Sequence, residues 1–411
     1  MKNGTINCIH KFDIVLVTIL YDSLFQSLAE GLADKGLRIL VIAPNRDYKR
    51  PDVISTSQMK SENLIIKRIK VPKLDKNKML SKLLIFHIFA TKAEKRLKYL
   101  KAGLYIAPMM PILVPYRIFC LSRKLKIPFI LLLEDLVPDN WIRRKRFSEN
   151  NPFVRFFGRQ TRIMLSGAER IVAIGRDMKE YIQLTYGVAE DKVVYLPNWS
   201  KRNVGLQQKN VFKNSFGKFT ILYGGTIGEA QNLVPLIKAA EMMEKTDPDV
   251  EFRIIGSGMR KRELEVMAFE RGLKNIHFSD LLPEAEYKKV MKEAAVLLVS
   301  LREESKGMSV PSKTYACLAE GKPVLAVVPR NSEIHMEILE DGYGVFASPE
   351  DPEGIVDAIR KLKNDKGFYR ECSENAVKAH VEKYNEKVAV EGYFRMIAEI
   401  LGKRLEHEHV Q

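Results

Sequence analysis

The sequence predicts an α/β protein built from two doubly wound domains. Three observations carry that expectation. Short apolar, β-branched runs recur along the whole chain, segments with helical spacing separate them, and one polar stretch interrupts the alternation near the middle. Continuous apolar strands, rather than strands alternating with polar residues, are what a parallel sheet covered on both faces requires. With 411 residues, the chain suffices for two units of roughly 200, each large enough to bury its own core.

In the first half, strands are expected at 14–20 (IVLVTIL), 38–43 (RILVIA), 64–70 (LIIKRIK), 104–107 (LYIA), 129–133 (FILLL), 170–174 (RIVAI) and 193–196 (VVYL). Helical patterns such as SLFQSLAEGLADKG at 23–36 fill most of the gaps. The second half repeats the plan with FTILYG (219–224), EFRIIG (251–256), IHFS (276–279), AVLLVS (295–300), PVLAVV (323–328) and GVFA (344–347). The polar, aperiodic stretch 200–218 reads as a linker, which gives domains at 1–199 and 219–385. A last helix, around Lys387–Lys403 in a tail at 386–411, fits either domain. In such sheets ligands sit at the carboxyl ends of the strands.

Composition narrows the function. Hydrophobic residues make up 46% of the chain, which excludes a disordered or fibrous protein. The four cysteines (Cys8, Cys120, Cys317 and Cys372) are widely spaced, which argues against a zinc ribbon, an iron–sulfur site or a disulfide scaffold and fits a reducing cytosol. The apolar run Leu104–Leu121 contains Arg117, Pro108, Pro111 and Pro115, so it reads as strand, loop and helix rather than a membrane span. The N-terminus carries no signal-peptide pattern, and the expected location is cytoplasmic. Residues 1–200 hold 35 Lys and Arg against 18 Asp and Glu, whereas the rest holds 32 against 33. An excess confined to one half points to a polyanionic partner for that half, or to a solubilising surface.

Three glycine- or proline-marked stretches can carry chemistry. In ILYGGTIGEAQNLVPLIKAA, a strand ends at Gly224 and Gly225 and a helix is expected from about Asn232. Paired glycines let a ligand approach the backbone, and a helix N-terminus offers free N–H groups to phosphate. In VPSKTYACLAEGKPVLAV, Pro311 and Ser312 mark a helix start with Ser312 placed to cap it. Lys313 then falls in the first turn, where the macrodipole disfavours a cation unless an anion shares the site. Gly256 and Gly258 again follow a strand, but no third glycine completes a dinucleotide fingerprint. Each stretch also has a packing explanation.

The order and spacing of these stretches resemble family 4 glycosyltransferases of the GT-B fold, especially the branch that builds capsule, O-antigen and exopolysaccharide. That branch has a P-S-K-x-Y segment, matched here by Pro311, Ser312, Lys313 and Tyr315. Its D-L-x-P-[DE] segment is matched by Asp135, Leu136, Pro138 and Asp139, and its P-N-W by Pro197, Asn198 and Trp199. The similar stretches cover most of residues 120–365. The resemblance implies two Rossmann-like domains facing a central cleft. It also implies transfer from a nucleotide sugar (UDP-, GDP- or another) with retention of configuration and no essential metal. The donor is then expected on the second domain, with the phosphate-facing loop at Gly225, the diphosphate near Lys313 and the base near Gly256, Gly258, Phe278, Ser279 and Leu282. The acceptor is expected on the first.

The sequence departs from the wider family at several positions. Its acidic pair falls on Met308 and Ala316, its phosphate-contacting Arg and Lys on Thr226 and Gln231, and its His on the stretch Pro108-Met109-Met110. Asp135, Asp139, Glu303 and Glu304 remain as carboxylates at strand ends, each with a capping or surface alternative. The seven histidines show no metal-ligand spacing outside His407 and His409 of the tail, so no metal site is expected.

On the acceptor side, Lys78–Lys101 carries seven bases, among them Lys82, Lys92, Lys95 and Arg96, and one acid. Leu83, Phe86, Ala90, Ala93, Leu97 and Leu100 recur in it at helical spacing. An interfacial helix against anionic lipid and a core-facing helix both fit that pattern. Arg143 and Arg144 open a further basic run, RRKR. Taken with the family resemblance, these features imply an anionic membrane surface and a lipid-linked or saccharide acceptor at the inner membrane face. No nucleic-acid-binding motif appears. A non-catalytic glycosyltransferase-like subunit serving a partner enzyme is the alternative.

Overall fold

The computed structural model of the protein describes residues 11–47, 52–74, 78–200 and 217–409. They form two α/β units. The first takes the chain up to Ile174, Lys179–Pro197 and the helix from Glu386 onward, and the second takes Gly175–Met178 and Asn198–Asn385. The linker expected at 200–218 falls almost wholly outside the described residues, as does Cys8.

The first unit contains strands β1 (Lys11–Val17), β2 (Ile39–Pro44), β3 (Gln58–Ser61), β4 (Leu64–Ile69), β5 (Lys101–Pro108), β6 (Phe129–Leu133), β7 (Arg170–Ala173) and β8 (Val193–Tyr195). They form one sheet in the order β3-β4-β2-β1-β5-β6-β7-β8. All pairs are parallel except β3 with β4. β3 has four exposed residues and no apolar alternation, so nothing in the sequence marks it; it is a short polar edge strand. β2 and β6 are buried along their whole length, as covering on both faces demands.

Helices α1 (Ser23–Asp34), α2 (Met79–Leu97), α3 (Leu113–Leu125), α4 (Asp139–Arg143), α5 (Pro152–Gly167) and α6 (Arg176–Tyr186) follow in chain order. Asp22 caps α1 by accepting from the Leu24 and Phe25 N–H groups. α2 buries Ile85, Phe89, Ala90, Ala93 and Leu97, so its apolar stripe meets the core of this unit. Lys95 and Arg96 lie in its last turn, where the macrodipole favours cations. Among the described residues no helix is long and apolar enough to cross a membrane.

The second unit contains β9 (Phe219–Thr226), β10 (Val250–Ser257), β11 (Ile276–Ser279), β12 (Val296–Ser300), β13 (Val324–Val327) and β14 (Gly344–Ala347). Its sheet is parallel throughout, in the order β11-β10-β9-β12-β13-β14, so the order reverses at β9. Its helices are α7 (Val234–Thr246), α8 (Lys261–Glu270), α9 (Glu284–Glu293), α10 (Lys313–Ala319), α11 (Glu333–Asp341), α12 (Pro352–Asn364) and α13 (Lys366–Glu382). Phe219, Ile221, Tyr223, Phe252 and Leu298 of the sheet pack with Ile237 and Ala240 of α7 and Ile355 and Ile359 of α12. Asp247, just past α7, ties down α12 by accepting from Arg360 at 2.9 Å and Lys363 at 2.8 Å.

The last helix, α14 (Glu386–His409), packs in the first unit. Its Ala389, Val390, Tyr393, Met396, Ile397 and Ile400 are buried. It lies so close to α1 that a Cβ on Gly31 would come 2.5 Å from the Val390 side chain. Lys35 and Glu391 pair beside that contact at 2.6 Å.

Candidate functional site

The candidate site forms where β9, the central strand of the second sheet, reaches its carboxyl end. Tyr223, the last core residue of that strand, is fully buried, and its hydroxyl donates to the Thr226 carbonyl at 2.5 Å. Gly224 and Gly225 come next. A Cβ on Gly224 would fall 1.8 Å from the hydroxyl of Tyr287 on α9. Gly225 has φ +140°, and a Cβ there would lie 2.8 Å from Lys313 Nζ. Glycine is therefore required at Gly224 by the Tyr287 ring and at Gly225 by its positive φ.

Lys313 opens α10. Its Nζ is buried, has no hydrogen-bond partner and lies 3.8 Å from the centroid of the Tyr223 ring. Burial pushes its pKa down to about 8, opposed in part by the Cys317 thiol one turn further on. An ammonium held over an aromatic face gains some cation–π stabilisation, but an unpaired buried charge is costly. Such a group is primed to accept an anion.

Gly224, Gly225, Tyr287, Lys313 and Cys317 line a cavity of about 290 Å³ together with Leu222, Ile255, Leu281, Leu282, Glu284, Met291, Leu297, Leu298 and Ala316. That size is at the lower end for ligand sites, which are mostly apolar with a few polar groups. The structure thus brings together Gly224, Gly225, Lys313 and Leu282 of the expected residues.

The remaining expected donor-site residues do not line this cavity. Gly256 and Gly258 do not line the cavity; a Cβ on Gly256 would come 1.9 Å from the Gly225 carbonyl oxygen, so this glycine lets β10 approach the loop. Phe278 and Ser279 are half-buried in β11, and Phe278 packs on the second unit's core. Gln231 accepts from the Gly228 N–H through its side chain and from Ser300 through its carbonyl, so it fixes the loop after β9. Asn232 adopts φ +34°, and α7 therefore begins at Val234 rather than at Asn232. Ser312 is exposed and makes no capping hydrogen bond; its backbone is already helical, which is incompatible with the extended geometry of a cap. Tyr315 is fully buried and donates to Glu337 at 3.0 Å, so it serves the core. Met308 is buried, while Ala316 faces the cavity.

None of the four candidate carboxylates lines the cavity. Asp135 accepts from Asn140 at 3.3 Å. Asp139 accepts from the Tyr181 and Tyr186 hydroxyls at 2.8 and 2.5 Å. Glu304 pairs with Arg302 at 3.2 Å, and Glu303 is exposed. Among the described residues no cluster of His, Cys, Asp or Glu can hold a metal ion. Sequence reasoning missed Tyr287, Glu284 and Cys317. Tyr287 sits in an ordinary charged helix (EAEYKKVMKE), and only its place against Gly224 singles it out.

In the first unit, Lys82 is half-buried, Lys92 donates to the Lys70 carbonyl at 2.8 Å, and Lys95 and Arg96 are exposed. Arg143 is exposed and lies over the Tyr181 ring, 4.9 Å from its centroid, and Arg144 is half-buried.

The fold aligns with Alr3699/HepE of Anabaena, solved with UDP and glucose, at TM-score 0.65 and 14% identity over 94% of this chain and 99% of that one. Two doubly wound α/β units, the second with a glycine-terminated central strand, are the arrangement of the GT-B fold. A model of Glycosyltransferase Family 4 matches residues 23–199, and one of Glycosyl transferases group 1 matches residues 207–379. The chain belongs to glycosyltransferase family 4. It is 26% identical over 332 residues to the probable glycosyltransferase WbjE of Pseudomonas aeruginosa, covering 79% of this chain and 81% of that protein. It is also 30% identical over 207 residues to WcaI of Escherichia coli, by name a colanic acid biosynthesis glycosyl transferase, covering 48% of this chain and 50% of that one.

Proposed function

We propose that the protein is a retaining glycosyltransferase that moves a sugar from a UDP-sugar to a lipid-linked or polysaccharide acceptor at the inner membrane face. The buried, unpaired ammonium of Lys313 beside Gly225 carries this reading. A departing nucleoside diphosphate leaves negative charge on its phosphates, and a cation already desolvated at that place stabilises the charge strongly. In this reading Lys313, rather than a metal ion, compensates the diphosphate. Leu281, Leu282 and Tyr287 flank the base, and the first unit receives the acceptor. The UDP complex of HepE supports the choice of nucleotide, and the colanic acid biosynthesis in the name of WcaI supports a polysaccharide as product.

Calorimetry with UDP, GDP, ADP and dTDP tests the donor. Saturable binding of UDP alone is expected, weakening as pH climbs through about 8 and Lys313 loses its proton. Binding insensitive to Lys313→Ala would refute the assignment of that residue. One observation favours a second reading, a non-catalytic subunit: Met308 and Ala316 stand where the wider family has its acidic pair, and neither side chain bonds a ribose hydroxyl. UDP binding without release of sugar from any UDP-sugar in the presence of membrane lipid extract would establish it.

A further inference from the structure

The apolar stripe of α2 is occupied by the core of the first unit, which leaves Leu80 and Leu84 as the exposed large apolar side chains among its described ones. A different surface of the same unit combines aromatic rings with concentrated positive charge. It is made by α4, the loop after it and the start of α5. Trp141 stacks on Phe153 with centroids 5.9 Å apart and planes 18° apart, and it meets Phe147 and Phe157 edge-on at 6.1 Å. Phe157, which is buried, roots the cluster, and it touches Phe153 at 4.5 Å and Phe156 at 5.3 Å. The cluster continues to the surface: Trp141, Phe147 and Phe153 are half-exposed, and Phe156 is 58% exposed.

Charge surrounds these rings. Residues 141–162 carry Arg143, Arg144, Lys145, Arg146, Arg155, Arg159 and Arg162 against Glu149 alone. All of these bases but Arg144 are exposed. The platform is fixed from below, because Asp139 at the start of α4 accepts both the Tyr181 and Tyr186 hydroxyls. Arg143 and Arg162 lie over the rings of those same two tyrosines, 4.9 and 5.2 Å from their centroids.

We infer that this surface docks the protein on an anionic lipid bilayer, with Phe156 and the Trp141 cluster at the level of the headgroups and the arginines on the lipid phosphates. Aromatic rings with one apolar and one wet side favour that depth, and bases beside them are attracted by an anionic leaflet. The inference rests on the membrane-face reading of the acceptor and names the residues that make the contact.

The chain supplies its own reporter. It has two tryptophans; Trp199 is buried, so Trp141 dominates any response of emission to a surface partner. The full chain is titrated with vesicles of phosphatidylcholine alone and of equal parts phosphatidylcholine and phosphatidylglycerol. The expected result is a blue shift, with quenching by brominated acyl chains, on the anionic vesicles only. Arg155→Gln with Arg159→Gln removes two exposed charges one turn apart and should lower partitioning roughly thirtyfold. Phe156→Ser should lower it several-fold and Trp141→Phe should abolish the shift. No vesicle binding, equal response to neutral vesicles, or binding unchanged in the Arg155/Arg159 and Phe156 variants would overturn the inference. So would the same Trp141 response to single-stranded RNA or a soluble anionic polysaccharide at equal salt. UDP titration of the same variants separates this test from the donor reading: lost docking with intact UDP binding is specific to this surface, whereas lost UDP binding with intact docking defeats only the donor assignment.

Discussion

The two units handle positive charge in opposite ways. In the second unit, one ammonium is buried at the end of the central strand, without a hydrogen-bond partner, inside a mostly apolar cavity. In the first, many cations stand in solvent around half-exposed aromatic rings. A buried charge binds one anion at one place, because low dielectric and fixed geometry make that interaction strong and local. Exposed charges are individually weak and screened, and they act only in sum against an extended surface. In the proposed function, this contrast lets one chain hold a small donor by geometry and an extended partner by charge density.

The largest effect expected is on the strand end itself. Gly256→Ala would place a methyl against the Gly225 carbonyl, since its Cβ would lie 1.9 Å away. The variant should lose about 3 kcal/mol of stability, as overpacking against rigid backbone does. A lowered thermal midpoint with vesicle docking kept at low temperature would confine the damage to the second unit.

Lys313→Met should weaken UDP binding by about 2 kcal/mol, the magnitude of a hydrogen bond to a charged group. The same change should raise the thermal midpoint, because it removes a buried unpaired charge. A variant that loses both affinity and stability would show that Lys313 is structural and break the contrast between the units.

A smaller effect concerns Glu337 of α11. Burial pushes its pKa up to about 8, helped by Glu333 and opposed by hydrogen bonds from Tyr343 and Tyr315. A carboxyl raised on folding binds more protons in the native state than in the unfolded one. Stability therefore falls as pH rises from the ordinary carboxylate range towards 8. Glu337→Gln should flatten that slope, read from thermal midpoints at several pH values. The smallest response expected is that of UDP affinity to moderate salt, set against a steep loss of vesicle binding under the same change.

Much of the fold is legible in the sequence because burial on both faces writes continuous apolar runs, as FILLL does on β6 to the residue; the edge strands β11 and β14, less fully buried, still coincide with IHFS and GVFA. β3 is not legible, since a solvent-exposed edge strand needs no apolar residue. The periodicity of α2 is real, but spacing alone does not say whether the face meets lipid or core; Ala90, Ala93 and Leu97 meet the core. At the site, paired glycines mark a strand end that something must approach. Lys313 is anomalous in a first helical turn, and both features survive in the folded cavity. Tyr287 carries no such mark, because only three-dimensional proximity to Gly224 gives it a role. The aromatic platform is equally hidden, because its rings come from the short helix α4, the start of α5 and the loop between them, with no common period.

The return of α14 to the first unit has a consequence for biosynthesis. Its buried residues from Ala389 to Ile400 complete a core whose sheet is assembled from residues before Pro197. On the ribosome those residues emerge only after the whole second unit has been made. The second unit can therefore close first, while the earlier-made half waits with the surface beneath Val390 and Tyr393 uncovered, the interval in which a nascent chain of this kind is most open to chaperones and to aggregation.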